Sequence, residues 1–335
     1  MVLKLRDRQR VAIAIAITFS FFVCELIVAF KTQSLALMAD AFHYLTDLLG
    51  LVVTLTAIFI SERPDSPQDL SFGWQRARLL GAFFNGAFLL ALGVSILLQS
   101  IERFISVREV EDVKLVLIMG SIGLVLNIIS VVLLHGKHTL NTLNTPKRDL
   151  GMVGAMLHVV GDALNNVAVI TAGAIIWFTS SPMRFYADPA VSMAISVIIF
   201  LSALSLVKKS GRILLQSAPR GVNLADVKHD IEKIPGIESV HELHVWQLDQ
   251  LKAIASAHVT VSDSNIDTFM EKAKTIGECL HAYGIHSTTL QPEIMCTPLG
   301  PGGGNGRQLP CQVMCGKGKC EELMCCSTTS IVQEY

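Results

Sequence analysis

ALMADAFHYLTDLLG, residues 36–50, lies inside an apolar run long enough to cross a bilayer, yet it carries Asp40, His43 and Asp47. An ionised carboxylate at mid-bilayer costs about 2.5–3.5 kcal/mol or more, so such groups face the interior of a helix bundle and pair with something. His43 and Asp47 are four apart and therefore project from one face of a helix. The same H-x-x-x-D spacing returns in GAMLHVVGDALNNVAVI, residues 154–170, as His158 and Asp162. Two helices that each offer an imidazole and a carboxylate close a tetrahedral N₂O₂ shell when packed side by side. Neither helix has a Lys or Arg near these positions, so a divalent cation would supply the missing countercharge. The competing reading, in which each His bonds its own Asp one turn away, fits one motif as well as the metal does. Repetition of the motif in a second span favours the metal. Imidazole ligands put zinc first, with cobalt, cadmium and iron(II) behind it, and no thiolate is at hand for Cu(I). Asp40, one turn before His43, reads equally as an outer partner of that site or as a carboxylate solvated at the membrane end.

The composition of the whole chain agrees with a membrane setting. Only 16% of the 335 residues are charged and 51% are hydrophobic, against about 25% charged in soluble domains. Near-neutral net charge gives no sign of a nucleic-acid partner. Spans of about 20 residues are expected at 11–30, 34–60, 79–101, 113–134, 152–178 and 188–207, making a six-span bundle. With the N-terminus inside, thirteen Lys and Arg fall in inside segments and five outside, which predicts both termini in the cytosol. Other polar residues in the spans, Glu25, Asn127, Asn165 and Asn166, read as a further path carboxylate and as interhelical hydrogen bonders. Gly81, Gly86, Gly93, Gly151, Gly154 and Gly161 read as close-packing positions.

The period changes after residue 213. NLADVKHDIEKIPGI is amphipathic, ESVHELHVWQLD and KAIASAHVTVSD alternate as strands, NIDTFMEKAKTIGECLHAYG is helical and IHSTTLQPEI is a third strand. The order αββαβ predicts a small open-faced sandwich. The expected organisation is an N-terminal segment 1–10, a transport domain 11–207, a linker 208–213, an α/β domain 214–295 and a tail 296–335.

The motifs SLALMADAFHYLTD, LHVVGDALNNVAV, HELHVWQL and SAHVTV, spread over residues 11–293, resemble those of the cation diffusion facilitator family, specifically its eukaryotic zinc transporters of the vacuolar or organellar type. The resemblance implies a homodimeric, proton-coupled exporter of Zn²⁺ from the cytosol, with His43, Asp47, His158 and Asp162 as the transport site. It also implies a ferredoxin-like, metallochaperone-like cytosolic domain with zinc ligands at His241, His258, His286 and Glu293, though a surface-histidine reading stays open for these four. His244 reads as structural. Related transporters often carry a His-rich loop between spans four and five; here that loop has only His135 and His138.

Seven of the eight cysteines fall at or after Cys279. The last 40 residues hold Cys296, Cys311, Cys315, Cys320, Cys325 and Cys326 in a Gly- and Pro-rich context that reads as a flexible tail. A soft-metal scoop, acylation at Cys325 and Cys326, or no role are the alternatives there. No P-loop or nucleophile motif is present, so a carrier rather than an enzyme is expected. The rival function is a membrane zinc sensor or scaffold acting through the cytosolic domain, and the rival cargo is another divalent metal such as cobalt, cadmium, iron or manganese.

Overall fold

The structure, a computed structural model, describes residues 6–32, 35–106, 113–135 and 149–294, and the side chains of 31–43, 115, 116 and 182 lie outside that description. It divides into two units, with the boundary between Leu215 and Gln216.

Among its described residues the first unit holds six helices long and apolar enough to span a membrane: α1 (Asp7–Thr32), α2 (Leu35–Ser61), α3 (Ala77–Ile105), α4 (Val113–Leu134), α5 (Leu150–Phe178) and α6 (Ala187–Leu214). Each is where the apolar runs predict it. The segment 208–213, expected to be a linker, is instead the end of α6. Lys208, Lys209 and Arg212 do not stop the helix because long cationic side chains carry their charge to water while their stems stay on apolar surface.

α1 packs along α2, α4 along α5 and α3 along α6. Along α3 the buried residues Leu79, Ala82, Asn85, Gly86, Leu89 and Gly93 recur every three or four positions, which is one face of a helix. Small residues bring the backbones close. A Cβ at Gly81 would lie 2.7 Å from that of Ala57, and one at Gly86 the same distance from Val207 Cγ2. The opposite faces carry exposed apolar side chains such as Phe84, Leu98, Val132 and Leu201, as a lipid-facing surface does.

Polar contacts tie the helix ends. Arg78 at the start of α3 reaches Ser61 Oγ at 2.7 Å and Glu62 Oε1 at 3.3 Å near the end of α2, and Asp149 Oδ2 at 2.6 Å. Asp149 also caps α5 by accepting from the Gly151 N–H. At the other end of α3, Arg103 pairs with Asp188 of α6 at 2.6 Å.

The second unit has the predicted order: α7 (Leu224–Glu232), β1 (Ile237–Gln247), β2 (Ala253–Val261), α8 (Ile266–Ala282) and β3 (Ser287–Ile294). The sheet order is β1-β2-β3, with β1 antiparallel and β3 parallel to the central β2. A parallel neighbour requires a crossover, and α8 provides it. Val227 and Ile231 of α7 and Ile276 and Leu280 of α8 close over Val240, Ala255, Ala257 and Val259 of the sheet. Asn223 and Asn265 cap the two helices.

Candidate metal centre

α2 and α5 bring Asp47, His158 and Asp162 together. One ligand atom from each lies within 4.8 Å of the others, and all three residues are buried. His158 Nε2 stands 3.3 Å from Asp47 Oδ1, across the helix interface rather than along its own helix. That separation is the one a tetrahedral zinc imposes between two ligands, about 3.3 Å for bonds of about 2.0–2.1 Å. Neither oxygen of Asp47 and neither ring nitrogen of His158 has a hydrogen-bond partner among the described residues, so the short approach lacks hydrogen-bond alignment. A buried carboxylate and an imidazole left in this state, with a second buried carboxylate close by, suit a cation, which would satisfy them together. His43 lies on α2 four residues before Asp47, and Asp40 three before that; their side chains fall outside the description.

Three further residues border this site and are not singled out by the sequence. Gly50, three residues after Asp47 on α2, is where an added Cβ would lie 3.5 and 3.6 Å from Cε1 and Nε2 of His158 and 3.3 Å from Asn85 Oδ1. Asn85 of α3 is buried and donates from Nδ2 to Thr54 Oγ1 at 2.5 Å; the Thr54 hydroxyl donates to the Gly50 carbonyl at 3.2 Å. The available signal is that Asn85 is the one polar side chain in LLGAFFNGAFLLALGV, residues 79–94. Of the expected interhelical hydrogen bonders, Asn166 donates to the Tyr44 hydroxyl at 3.5 Å and Asn127 is buried; Glu25, read as a further path carboxylate, is also buried.

A second group of metal-ligating side chains forms on the sheet of the other unit. Cross-strand partners His241 and His258 both face Glu293, with His241 Nε2 at 3.0 Å from Oε2 and His258 Nδ1 at 3.0 Å from Oε1. Glu293 is buried and the histidines half-buried. A bulge between His241 and His244, with Glu242 at φ +48°, bends β1 here. His286 does not join them. It precedes β3, seven residues from Glu293 or about 23 Å of extended strand, and its Nδ1 sits 3.4 Å from that of His281. His244 is exposed and contacts Glu242. Cys279 is half-buried on α8, and burial pushes its thiol pKa up. Cys296, Cys311, Cys315, Cys320, Cys325 and Cys326, with His138, lie outside the described residues.

Both units match known families over nearly their whole described length: the cation efflux transmembrane domain over residues 11–215, and the cation efflux protein cytoplasmic domain over residues 219–294. The chain belongs to the cation efflux family. This is the resemblance drawn from its motifs. Similar proteins include the vacuolar zinc transporter ZRC1 of Saccharomyces cerevisiae, 32% identical over 82% of this chain and 80% of its own length. Zinc homeostasis factor 1 of Schizosaccharomyces pombe is 32% identical over 88% and 97%. The human proton-coupled zinc antiporter SLC30A1 is 28% identical over 96% and 88%. In this cation efflux chain the buried Asp47, His158 and Asp162 therefore lie within the transmembrane family domain, and His241, His258 and Glu293 within the cytoplasmic one.

Proposed function

We propose that this chain carries Zn²⁺ out of the cytosol in exchange for protons, binding the ion at His43, Asp47, His158 and Asp162. The observation that carries the reading is the convergence of Asp47, His158 and Asp162, three buried ligating groups from two spanning helices. Among the relatives, one is named a zinc transporter and another a proton-coupled zinc antiporter, which supports zinc as cargo and protons as counter-ion. The charge asymmetry of the loops supports cytosolic termini. The budding-yeast relative is named as vacuolar, which supports a vacuolar or other organellar membrane. The cytoplasmic domain supports assembly as a homodimer.

The chemistry is competition for the same atoms. Ligands must shed protons to take a metal, so zinc and protons compete for the same imidazoles and carboxylates. Facing the cytosol, the deprotonated site takes zinc; facing an acidic compartment, protons displace it. Zinc uptake into proteoliposomes with an acidic interior tests this. Uptake that needs the gradient and is lost in Asp47→Ala and Asp162→Ala is expected. A folded parent protein that moves neither zinc nor another divalent metal refutes it, and competition between Zn²⁺ and Mn²⁺ reads the cargo.

The His241–His258–Glu293 group favours a second role for zinc, as a regulator bound in the cytosolic domain. Glu293→Ala should lower the zinc bound at equilibrium by a protein already carrying Asp47→Ala. Unchanged binding would remove this site.

A further inference from the structure

Asn85 has its orientation set by its neighbours. The Thr54 hydroxyl spends its hydrogen on the Gly50 carbonyl, so its oxygen can only accept, and it accepts from Asn85 Nδ2. The amide is thereby held with Nδ2 toward Thr54 and Oδ1 turned away. Oδ1 has no hydrogen-bond partner among the described residues, although Asn85 is 1% exposed. It borders the space over Gly50, which the Cε1–Nε2 edge of His158 also borders. That is the edge facing Asp47. A buried acceptor with no donor is costly, and at Gly50 no side chain comes between Oδ1 and the His158 ring, where a Cβ would lie 3.3 Å from the one and 3.5 Å from the other.

Position along the helix gives the oxygen a direction. Gly50 and Thr54 lie three and seven residues beyond Asp47 toward the Ser61 end of α2, about 5 and 10 Å along the axis. That end is the cytosolic one if both termini are cytosolic. On that orientation Asn85 Oδ1, beside Gly50 and Thr54, stands on the cytosolic side of Asp47.

We propose that Asn85 Oδ1 is a capture ligand, a neutral oxygen that takes the incoming hydrated Zn²⁺, directly or through one of its waters, and hands it to His158 and Asp47. Thr54 is the positioning residue that aims it. A neutral oxygen suits this step because it lowers the cost of partial dehydration without holding the ion as tightly as a carboxylate. The inference rests on the transport reading above.

The test is the zinc-concentration dependence of uptake in proteoliposomes by the parent, Asn85→Leu, Asn85→Asp and Thr54→Val, with Asp47→Ala as the control for the transport site. Asn85→Leu is expected to raise KM about tenfold, the factor one hydrogen-bond-sized interaction controls, with the maximal rate retained. Thr54→Val should shift KM the same way by less, and Asn85→Asp, which keeps the oxygen, should not raise it. An unchanged KM in Asn85→Leu, or a lower maximal rate at parental KM, overturns the proposal in favour of packing. Should Asn85→Leu fail to fold, Thr54→Val decides alone, and a parental KM there overturns it. If the parent is active and depends on Asp47 while these variants behave as parent, only the capture role fails; a parent that moves no zinc removes the transport reading with it.

Discussion

Filling the gap over Gly50 separates the stability of the bundle from its use. A methyl there would meet Asn85 Oδ1 at 3.3 Å, tight enough that the amide must yield by a few tenths of an ångström, and the His158 ring at 3.5 and 3.6 Å, in ordinary van der Waals contact. Inside a helix, alanine is preferred over glycine by about 0.8–1 kcal/mol, which offsets that crowding. Gly50→Ala is therefore expected to leave the unfolding temperature in detergent at or slightly above the parent's. Valine carries two more carbons, each about 1.5 Å farther out, and overpacking of this kind costs about 1–3 kcal/mol. Binding constellations work within about 0.5 Å of their productive geometry, so a valine, whose extra methyls reach past the ordinary contact an alanine makes with the His158 ring, disturbs the site more than the fold. Zinc uptake should weaken in Gly50→Ala through a higher KM and vanish in Gly50→Val. Proteoliposome flux, read beside unfolding temperature, makes the measurement. A folded Gly50→Val protein that takes up zinc with parental KM would refute the reasoning, because the ion would then not use the space beside His158.

Asp149 both caps α5 and pairs with Arg78. Asp149→Ala should cost about 1–2 kcal/mol, the sum of a cap and a half-exposed ion pair, and Asp149→Asn, which keeps a capping oxygen, should cost less; equal losses in thermal unfolding would assign the effect to the ion pair. In the second unit the Tyr283 hydroxyl donates to Asp230 Oδ2 at 2.6 Å. This bond pushes the Tyr283 pKa up to about 12 from 10.0 and holds that of Asp230 below its ordinary 3.8. The bond's stabilisation is thus complete between those ordinary values, fades as pH rises from 10.0 through about 12, and fades again as pH falls below 3.8. Parent and Tyr283→Phe unfolding curves should differ between those limits and converge beyond them.

The parts legible in the sequence are those whose signal is local. Asp47 and Asp162 stand out because a charge in a lipid-length apolar run has few explanations, and helical spacing sets each beside a histidine. The six spans follow from length and hydropathy alone. Asn85 does not stand out, because a lone Asn in a spanning helix ordinarily bonds a neighbour; what distinguishes it is the crossing of α3 over Gly50, which no spacing in either helix encodes. The extension of α6 through Lys208 and Lys209 escapes a reading by charge, because charge marks the end of the membrane-buried part of a helix and not the end of the helix. In the sheet, alternation reveals β1 and β2, but the pairing of His241 with His258 depends on register. The separation of His286 from Glu293 is legible, since seven residues of strand cannot fold back on themselves.

Charge balance at the buried site explains why a carrier built this way would exchange rather than leak. Ionised, Asp47 and Asp162 hold two negative charges in a buried place, and one Zn²⁺ cancels both. An uncompensated buried charge costs several kcal/mol, so the empty, doubly ionised site is the state least able to complete a crossing. The loaded site crosses readily, and on the proposed exchange the returning site crosses once protons have replaced the metal. Two fluxes should therefore respond differently to pH. With zinc on both sides, isotope exchange needs no proton and should persist when the pH of both compartments is raised together. Net uptake into zinc-free vesicles requires the return of a metal-free site and should slow over the same range. Net uptake that keeps pace with isotope exchange at high pH would mean that the metal-free site returns ionised. The two carboxylates would then have no part in coupling, and protons would have to act at groups other than those that hold the ion.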